Sequence, residues 1–589
     1  MNAHDAGAMP ILRNAQALGA VVPNVGSLVL DNAARHAGAP AFAERVNGPY
    51  VHRSWQQFGA DLLRFAAWLQ AECASGSRVA FVAGNSYLRH VAELGTMAAG
   101  CVSVPVFAGY PAALMGELLQ FSDVELLVTD QPDKVLALDP ASLPRRLLLL
   151  AEPRQRDPAA YLASGGRIER IAEVLARDID PTALAKVERD LRAVAEDSVC
   201  LIMYTSGTSG FPKGVQLTHR NLLSQQQALA QCWQPQPGLR MLCYLPWHHS
   251  FGGLFERFFA VAFGGCLALD DGCGKDVDRL LANFAEIRPH LFFSVPKIYQ
   301  EIAARVQASA EVERAFFHPE LKFVFTAAAP LPLSASEVFR AHGVPVVEGW
   351  GLTETSPCCT LTPFRLDRTP GVVGLPIPGV EVALAADGEI LVRGANVMRG
   401  YFRNPEATRA AFTDDGWFRT GDIGEFGPEG VRICSRKERM FKLSNGEKVF
   451  PAQIEARIHA RCQFVKYAYV FGSGQRTPHL LVFPNQQAFE GCGSGDGCVH
   501  PNDPAQLAHC LSNCMAEINA RPAAGFETIR RALVVGRELS IEDNELTPSF
   551  KLIPKRIEER YADCIEAMEQ GRYDQLPPDV FVLNLEASK

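Results

Sequence analysis

The sequence predicts an α/β protein: a large N-terminal domain of stacked α/β subdomains with a small β-rich subdomain, followed by a smaller α+β C-terminal domain. Three observations lead there. The chain has 589 residues, too many for one ordinary core, and 48% of them are hydrophobic, enough to bury more than one. Helical patterns alternate with short apolar runs from Ser54 to about Val128, and again after residue 197. Around residue 371 the texture changes to short apolar runs broken by turn residues.

Taken in order, Trp55 to Leu69 reads as helix, Val79-Ala80-Phe81-Val82 as strand and Ser86 to Ala99 as helix. Further strands are expected at 200–204, 241–245, 291–294, 322–326 and 345–348, separated by segments long enough for helices. A parallel sheet of such strands places the following loops at one edge, where ligands gather. The apolar stretch Phe251 to Leu269 is interrupted by Glu256 and Arg257 and contains Gly252, Gly253, Gly264 and Gly265, so buried structure is expected rather than a membrane span. Peripheral contact with a membrane is left open. Gly374, Pro376, Pro378-Gly379, Asp387-Gly388 and Asp415-Gly416 punctuate the β-rich subdomain, expected at about 371–435. The charged stretch Ser435 to Arg439 follows it, and the expected domains are 1–437 and 438–589.

A net charge of −8 and a pI near 6.0 give no general attraction to nucleic acid, and basic residues occur only in scattered pairs such as Arg145-Arg146. The first residues, Met1 to Gly7, lack the cationic region and apolar core of a secretory signal, and the 16 cysteines are spread along the chain as reduced thiols would be. A cytoplasmic protein is expected. Cys492, Cys498, His500, Cys510 and Cys514 match no common zinc spacing; Leu507, Cys510, Leu511, Cys514, Met515 and Ile518 recur at helical spacing, so Cys510 and Cys514 are expected to face a core.

The most informative run is Tyr204-Thr205-Ser206-Gly207-Thr208-Ser209-Gly210-Phe211-Pro212-Lys213-Gly214, placed directly after the apolar Cys200-Leu201-Ile202-Met203. Glycines let successive backbone N–H groups turn toward one point, the hydroxyls of Thr205, Ser206, Thr208 and Ser209 add donors, and the Lys213 ammonium offsets phosphate charge. A flexible linker does not usually follow a core strand or end in Pro-Lys-Gly. A Walker loop needs Ser or Thr after its lysine to hold magnesium; Gly214 stands there, so the metal must be held elsewhere.

The run YTSGTSGFPKGV resembles the phosphate loop of the adenylate-forming superfamily, which contains acyl-CoA synthetases, luciferases and stand-alone adenylation domains. Further matches follow in the family's order from about residue 200 to about 560. Glu348-Gly349-Trp350-Gly351-Leu352-Thr353-Glu354-Thr355 resembles the adenine and magnesium motif. The resemblance implies that Gly349, Trp350 and Gly351 lie against the base, Thr353 donates to the α-phosphate and Glu354 offers magnesium a hard oxygen; a helix N-cap is the alternative for Thr353-Glu354. Thr326 to Leu331 stands where the family often has a glycine-rich adenine platform. This implies adenine contact at Ala328 and Ala329, although a strand-to-helix turn explains them as well. Asp422, closing Trp417 to Asp422, matches the family's ribose anchor, and Arg436 matches an arginine at the domain junction that reaches ribose or phosphate.

Leu245-Pro246-Trp247-His248-His249-Ser250-Phe251-Gly252 resembles the acyl-site motif, with His249 at an aromatic position beside the carboxylate and α-phosphate. Glu545 to Leu552 resembles the terminal catalytic motif, whose lysine, Lys551 here, bridges the substrate carboxylate and α-phosphate; Ser549-Phe550-Lys551 departs from the common Ser-Gly-Lys and fits the long-chain acyl branch. KLSNGEKVFPAQIE, Lys442 to Glu455, also looks like that branch in the loop lining the thiol's approach, where Gly446 admits pantetheine. The hinge, two residues past the junction arginine, is commonly Asp or Lys in the family and is Glu438 here.

The resemblance implies a mobile C-terminal domain and ATP-dependent synthesis of an acyl-CoA from a fatty or other apolar acid, with Mg2+ as cofactor and ATP, the acid and CoA as partners. Two alternatives stay open. One is a fatty acyl-AMP ligase that loads a carrier protein; its usual insertion near the domain junction is not seen between Asp422 and Lys442. The other is a non-catalytic nucleotide or acyl-adenylate sensor, against which the joint presence of Lys213, Glu354, Asp422 and Lys551 argues.

Overall fold

A computed structural model describes residues 9–205, 211–327, 331–367, 369, 371–462, 465–485, 512, 515–516, 518–520, 525–540, 543, 545–546 and 552–585. The chain divides into two compact units: a larger one running to Arg432 apart from Gly421–Glu425, and a smaller one containing Gly421–Glu425 and the chain from Ile433 onward.

Two sheets with parallel cores build the larger unit. In one, the strands Val346–Trp350, Phe323–Thr326, Leu291–Ser294, Arg240–Cys243, Cys266–Leu269 and Pro40–Arg45 lie side by side in that order, each parallel to the next. Leu291–Ser294 and Phe323–Thr326 are buried at every position, which explains why their first three residues are all apolar. In the other sheet Val199–Thr205, Val102–Pro105, Arg78–Val82, Leu126–Thr129, Arg146–Leu149 and Arg167–Arg170 are parallel neighbours. The expected strand at 200–204 thus belongs to a different sheet from those at 241–245 onward. Local periodicity identifies strands, whereas distant pairing sets their order.

The helix Trp55–Glu72 starts at Ser54, whose hydroxyl accepts from the Gln57 N–H while the Gln57 side chain accepts from the Ser54 N–H. Its buried Phe58, Leu62, Phe65 and Leu69 recur at helical spacing. It packs on the helix Tyr87–Ala98, where a Cβ on Gly95 would come within 2.6 Å of the Phe65 ring. The apolar stretch after Ser250 folds as a π-helical turn, Phe251–Glu256, then a helix, Arg257–Ala262, and the strand Cys266–Leu269. No helix among the described residues is long and apolar enough to cross a membrane. Past residue 371 the strands become antiparallel, as in the hairpin of Val380–Leu384 with Glu389–Gly394.

The smaller unit carries a four-stranded sheet, with Val465–Phe471 antiparallel to His479–Pro484, which is parallel to Arg531–Val535, itself antiparallel to Val580–Asn584. One face packs on the helix Pro451–Arg461 through Ile454 and Ile458, the other on Pro554–Arg560 and Ala562–Glu569 through Ile557, Cys564 and Met568. Cys492, Cys498, His500, Cys510 and Cys514 lie outside the described residues; Met515 and Ile518 of the expected apolar face are buried.

Candidate active site

In the larger unit Thr205 ends its strand directly opposite Lys213, the first residue of the antiparallel return strand Lys213–Thr218. The two ends of the run expected to bind phosphate are therefore stitched together; Ser206, Gly207, Thr208, Ser209 and Gly210 lie outside the described residues. Gly214 has a packing reason, since a Cβ there would meet Ile202 at 2.9 Å, Tyr204 at 3.2 Å and Phe402 at 3.3 Å. A hydroxyl side chain at this position, as a Walker loop would need, has no room.

A short strand, Gly400–Tyr401, adds to the outer edge of this hairpin, with Val215 opposite Tyr401. Tyr401 donates its hydroxyl proton to Glu354 Oε1 at 2.9 Å, and Lys213 Nζ lies 5.1 Å from the centre of its ring. The Glu354 carbonyl accepts from the Met398 N–H at 2.8 Å. Lys213 and Glu354, 141 positions apart in sequence, thus share one aromatic neighbour. Tyr401 did not emerge from sequence: a single Tyr beside one glycine carries no chemical pattern of its own.

Gly349 and Gly351 are smaller than the protein's own packing allows any replacement to be. A Cβ on Gly349 would sit 2.7 Å from the Phe325 ring, and one on Gly351 would sit 1.9 Å from the Pro357 carbonyl oxygen. Trp350 lies between them, half-buried, at the end of the strand Val346–Trp350. Beyond it Thr353–Thr355 forms one 3-10 turn in which Thr355 Oγ1 accepts from the Leu352 N–H. Thr353 Oγ1 donates to Ser250 Oγ at 3.1 Å, which joins the expected nucleotide motif to the expected acyl motif. Ala328 and Ala329 lie outside the described residues.

In that acyl motif His249 is exposed and its Nδ1 accepts from the Phe251 N–H at 3.3 Å. His248 is half-buried, its ring 4.6 Å from that of Phe107; burial, then the Arg89 guanidinium and His249, hold its imidazole down to about 3, so it is neutral at physiological pH. Trp247 is fully buried.

In the smaller unit Arg436 Nε lies 3.0 Å from Asp422 Oδ1. Asp422 is buried and Arg436 exposed, so the aspartate holds the base of an outward-reaching guanidinium. Exposed Glu438 follows in the 3-10 turn Lys437–Arg439, and Arg439 bonds Glu455 at 2.6 Å. Lys442 pairs with Lys448 across a tight hairpin in which Gly446 has φ +85°, a conformation that favours glycine. Lys551 lies outside the described residues.

Among the described residues no group of three or more His, Cys, Asp or Glu side chains could hold a metal ion. The single carboxylate of Glu354 fits Mg2+ bound chiefly through nucleotide phosphates and water, which is how that ion is usually held.

The larger unit thus sets a lysine, a carboxylate and a hydroxyl pair on a parallel α/β scaffold, and a separate small α+β unit accompanies it. The chain belongs to the AMP-binding enzyme family: that family's model matches residues 29–402, and the model of the AMP-binding enzyme C-terminal domain matches 438–572. The long-chain-fatty-acid–CoA ligase FadD15 of Mycobacterium bovis is 28% identical over 551 residues, 84% of this chain and 88% of that protein. Long-chain-fatty-acid–CoA ligase 5 of Rattus norvegicus is 26% identical over 532 residues, 80% of this chain and 76% of that protein. Among solved structures, O-succinylbenzoate coenzyme A synthetase (MenE) from Bacillus subtilis, in complex with AMP, matches with a TM-score of 0.68 at 20% identity, covering 90% of this chain and 97% of that one. The A domain of carboxylic acid reductase from Segniliparus rugosus matches with a TM-score of 0.72 at 19% identity, covering 93% of this chain and 94% of that one. At these identities the structural likeness is one of fold.

Proposed function

We propose that the protein is an AMP-forming acyl-CoA synthetase that activates a fatty or other apolar carboxylic acid. The observation that carries this reading is the grouping of Lys213, Tyr401 and Glu354, which puts a phosphate-neutralising cation and a magnesium-competent carboxylate on one support. The matches to long-chain-fatty-acid–CoA ligases favour the fatty-acid side of the reading.

In the first half-reaction an oxygen of the acid's carboxylate bonds to the α-phosphorus of ATP as the bond to the bridging oxygen breaks, and pyrophosphate leaves. Lys213 offsets phosphate charge, Thr353 donates to the α-phosphate, and His249 and Ser250 border the carboxylate. Glu354 would hold Mg2+, which when bound neutralises the triphosphate. Asp422 would receive the ribose hydroxyls, with Arg436 steadied beside it, and Lys551 would stabilise charge building up on the transferring group. In the second half-reaction the CoA thiol loses its proton to solvent, its sulfur bonds to the acyl carbon and AMP leaves with the electrons of the anhydride bond. We place the domains at 1–437 and 438–589, with the second turning about Glu438 to exchange Lys551 for the loop Lys442–Gly446. A cytoplasmic location completes the proposal.

Pyrophosphate release measured against a panel of acids tests it. Release that requires ATP, magnesium and an apolar acid together supports it; release that needs no acid overturns it. Transfer to a carrier protein but not to CoA would make the protein an acyl-AMP ligase instead.

A further inference from the structure

The loop carrying His249 and Ser250 is held from beneath by residues outside every motif considered above. It leaves the C-terminal end of the strand Arg240–Cys243 in one sheet of the larger unit, while Asn85 follows the strand Arg78–Val82 in the other. The Asn85 amide brackets the loop: its Nδ2 donates to the Leu245 carbonyl at 2.9 Å, and its Oδ1 accepts from the Trp247 N–H at 3.1 Å. A primary amide supplies donor and acceptor at once, so the bracket fixes the position of the loop as well as its proximity.

Below Trp247 lies a charge cluster. The Arg257 guanidinium sits 4.9 Å from the indole and that of Arg89 5.6 Å. Arg257 binds Glu93 with both terminal nitrogens, at 2.9 and 3.2 Å, and Arg89 Nε binds the same carboxylate at 2.9 Å. All three side chains are at most 1% exposed. Burial works against the Glu93 charge, but Arg257 and Arg89 outweigh it and hold the carboxyl below the usual range. Arg257 Nε also donates to the Gly253 carbonyl at 3.2 Å, and Gly253 lies so close to the loop that a Cβ there would come within 2.3 Å of the Trp247 carbonyl oxygen. Buried ion pairs add little net stability, since desolvation nearly cancels their attraction; their best-attested use is to select one arrangement.

We propose that Asn85 and Arg257 are positioning residues for acid binding: Asn85 holds the backbone of Leu245–Trp247 and Arg257 the Trp247 ring, and together they fix where His249 and Ser250 meet the substrate carboxylate. Neither reaches the reacting atoms; they act through the Trp247 backbone and ring. The inference rests on the proposed assignment of residues 245–252 to the acid. Lys213, Tyr401 and Glu354 make no contact with the clamp, and the nucleotide motif reaches the clamped loop through the Thr353–Ser250 hydrogen bond, so acid binding should respond more strongly to its loss than nucleotide binding.

The test compares the full-length protein with Asn85→Ala and Arg257→Lys, measuring KM for an accepted acid, KM for ATP, and ATP affinity by equilibrium binding. Lysine keeps the charge but loses the bidentate fork and the planar stacking surface. The expected result is an acid KM raised roughly tenfold or more with the KM and affinity for ATP within about twofold of wild type. Unchanged acid KM in either variant overturns the inference, and so does a parallel rise in both KM values. Loss of ATP binding in both variants would make the clamp a folding element and equally overturn it. A wild-type protein that binds ATP but activates no acid removes the acid reading itself, which separates the two failures.

Discussion

Tyr401 donates a hydrogen bond to Glu354 at 2.9 Å while its ring faces the Lys213 ammonium at 5.1 Å. One phenol from a two-residue strand thereby orients the carboxylate expected to meet magnesium and adjoins the lysine expected to meet phosphate. A hydrogen bond to a charged group contributes about 2 kcal/mol, so Tyr401→Phe should lower kcat/KM for pyrophosphate release roughly 10- to 100-fold. The magnesium concentration giving half-maximal rate should rise with it. Wild-type turnover at every magnesium concentration would show that Glu354 needs no such orientation.

In the proposed role Lys551 bridges the free carboxylate and the α-phosphate during adenylation, and a finished adenylate no longer carries the carboxylate charge. Lys551→Ala should slow adenylation by roughly 100- to 1,000-fold, the usual effect of removing one preorganised donor. Given pre-made acyl-adenylate and CoA, the same variant should form thioester at close to the wild-type rate. Equal loss of both half-reactions would contradict the assignment.

A stability prediction follows from His219, which is 1% exposed and accepts the Val25 N–H at Nδ1, 3.3 Å away. Burial holds its imidazole down to about 4. The unfolded chain takes up a proton near pH 6.5 and the native protein does not, so stability is full above that pH and is lost as pH falls toward 4. Between pH 7 and 5 the loss from this one group is about 2 kcal/mol. In urea titrations, His219→Gln should be less stable than wild type at pH 7, and that gap should shrink by about this amount at pH 5. A constant gap would mean that His219 titrates normally in the fold.

Much of the fold could be read in advance because its strands are buried on both faces: Leu291–Ser294 and Phe323–Thr326 each begin with three apolar residues and are too short for a helix. Their distribution between sheets was not legible, since Val199–Thr205 and Arg240–Cys243 look alike locally and differ only in which distant strand they meet. Among the candidate residues of the two units, Lys213, Glu354 and Asp422 stand out by residue type within motifs. Tyr401 and Asn85 do not, because a hydrogen bond between residues 47 or 160 positions apart leaves no periodic trace. Gly349 and Gly351 were expected to make room for a base; the structure gives them a nearer reason in Phe325 and Pro357.

In the proposed reaction the protein joins an acid to AMP before any thiol is involved. Mass spectrometry of one incubation with ATP, magnesium and an apolar acid, with and without CoA, tests it most directly. Acyl-adenylate should accumulate without CoA and be replaced by acyl-CoA and AMP when CoA is added. A protein that binds ATP yet forms no acyl-adenylate with any acid in a broad panel would contradict it.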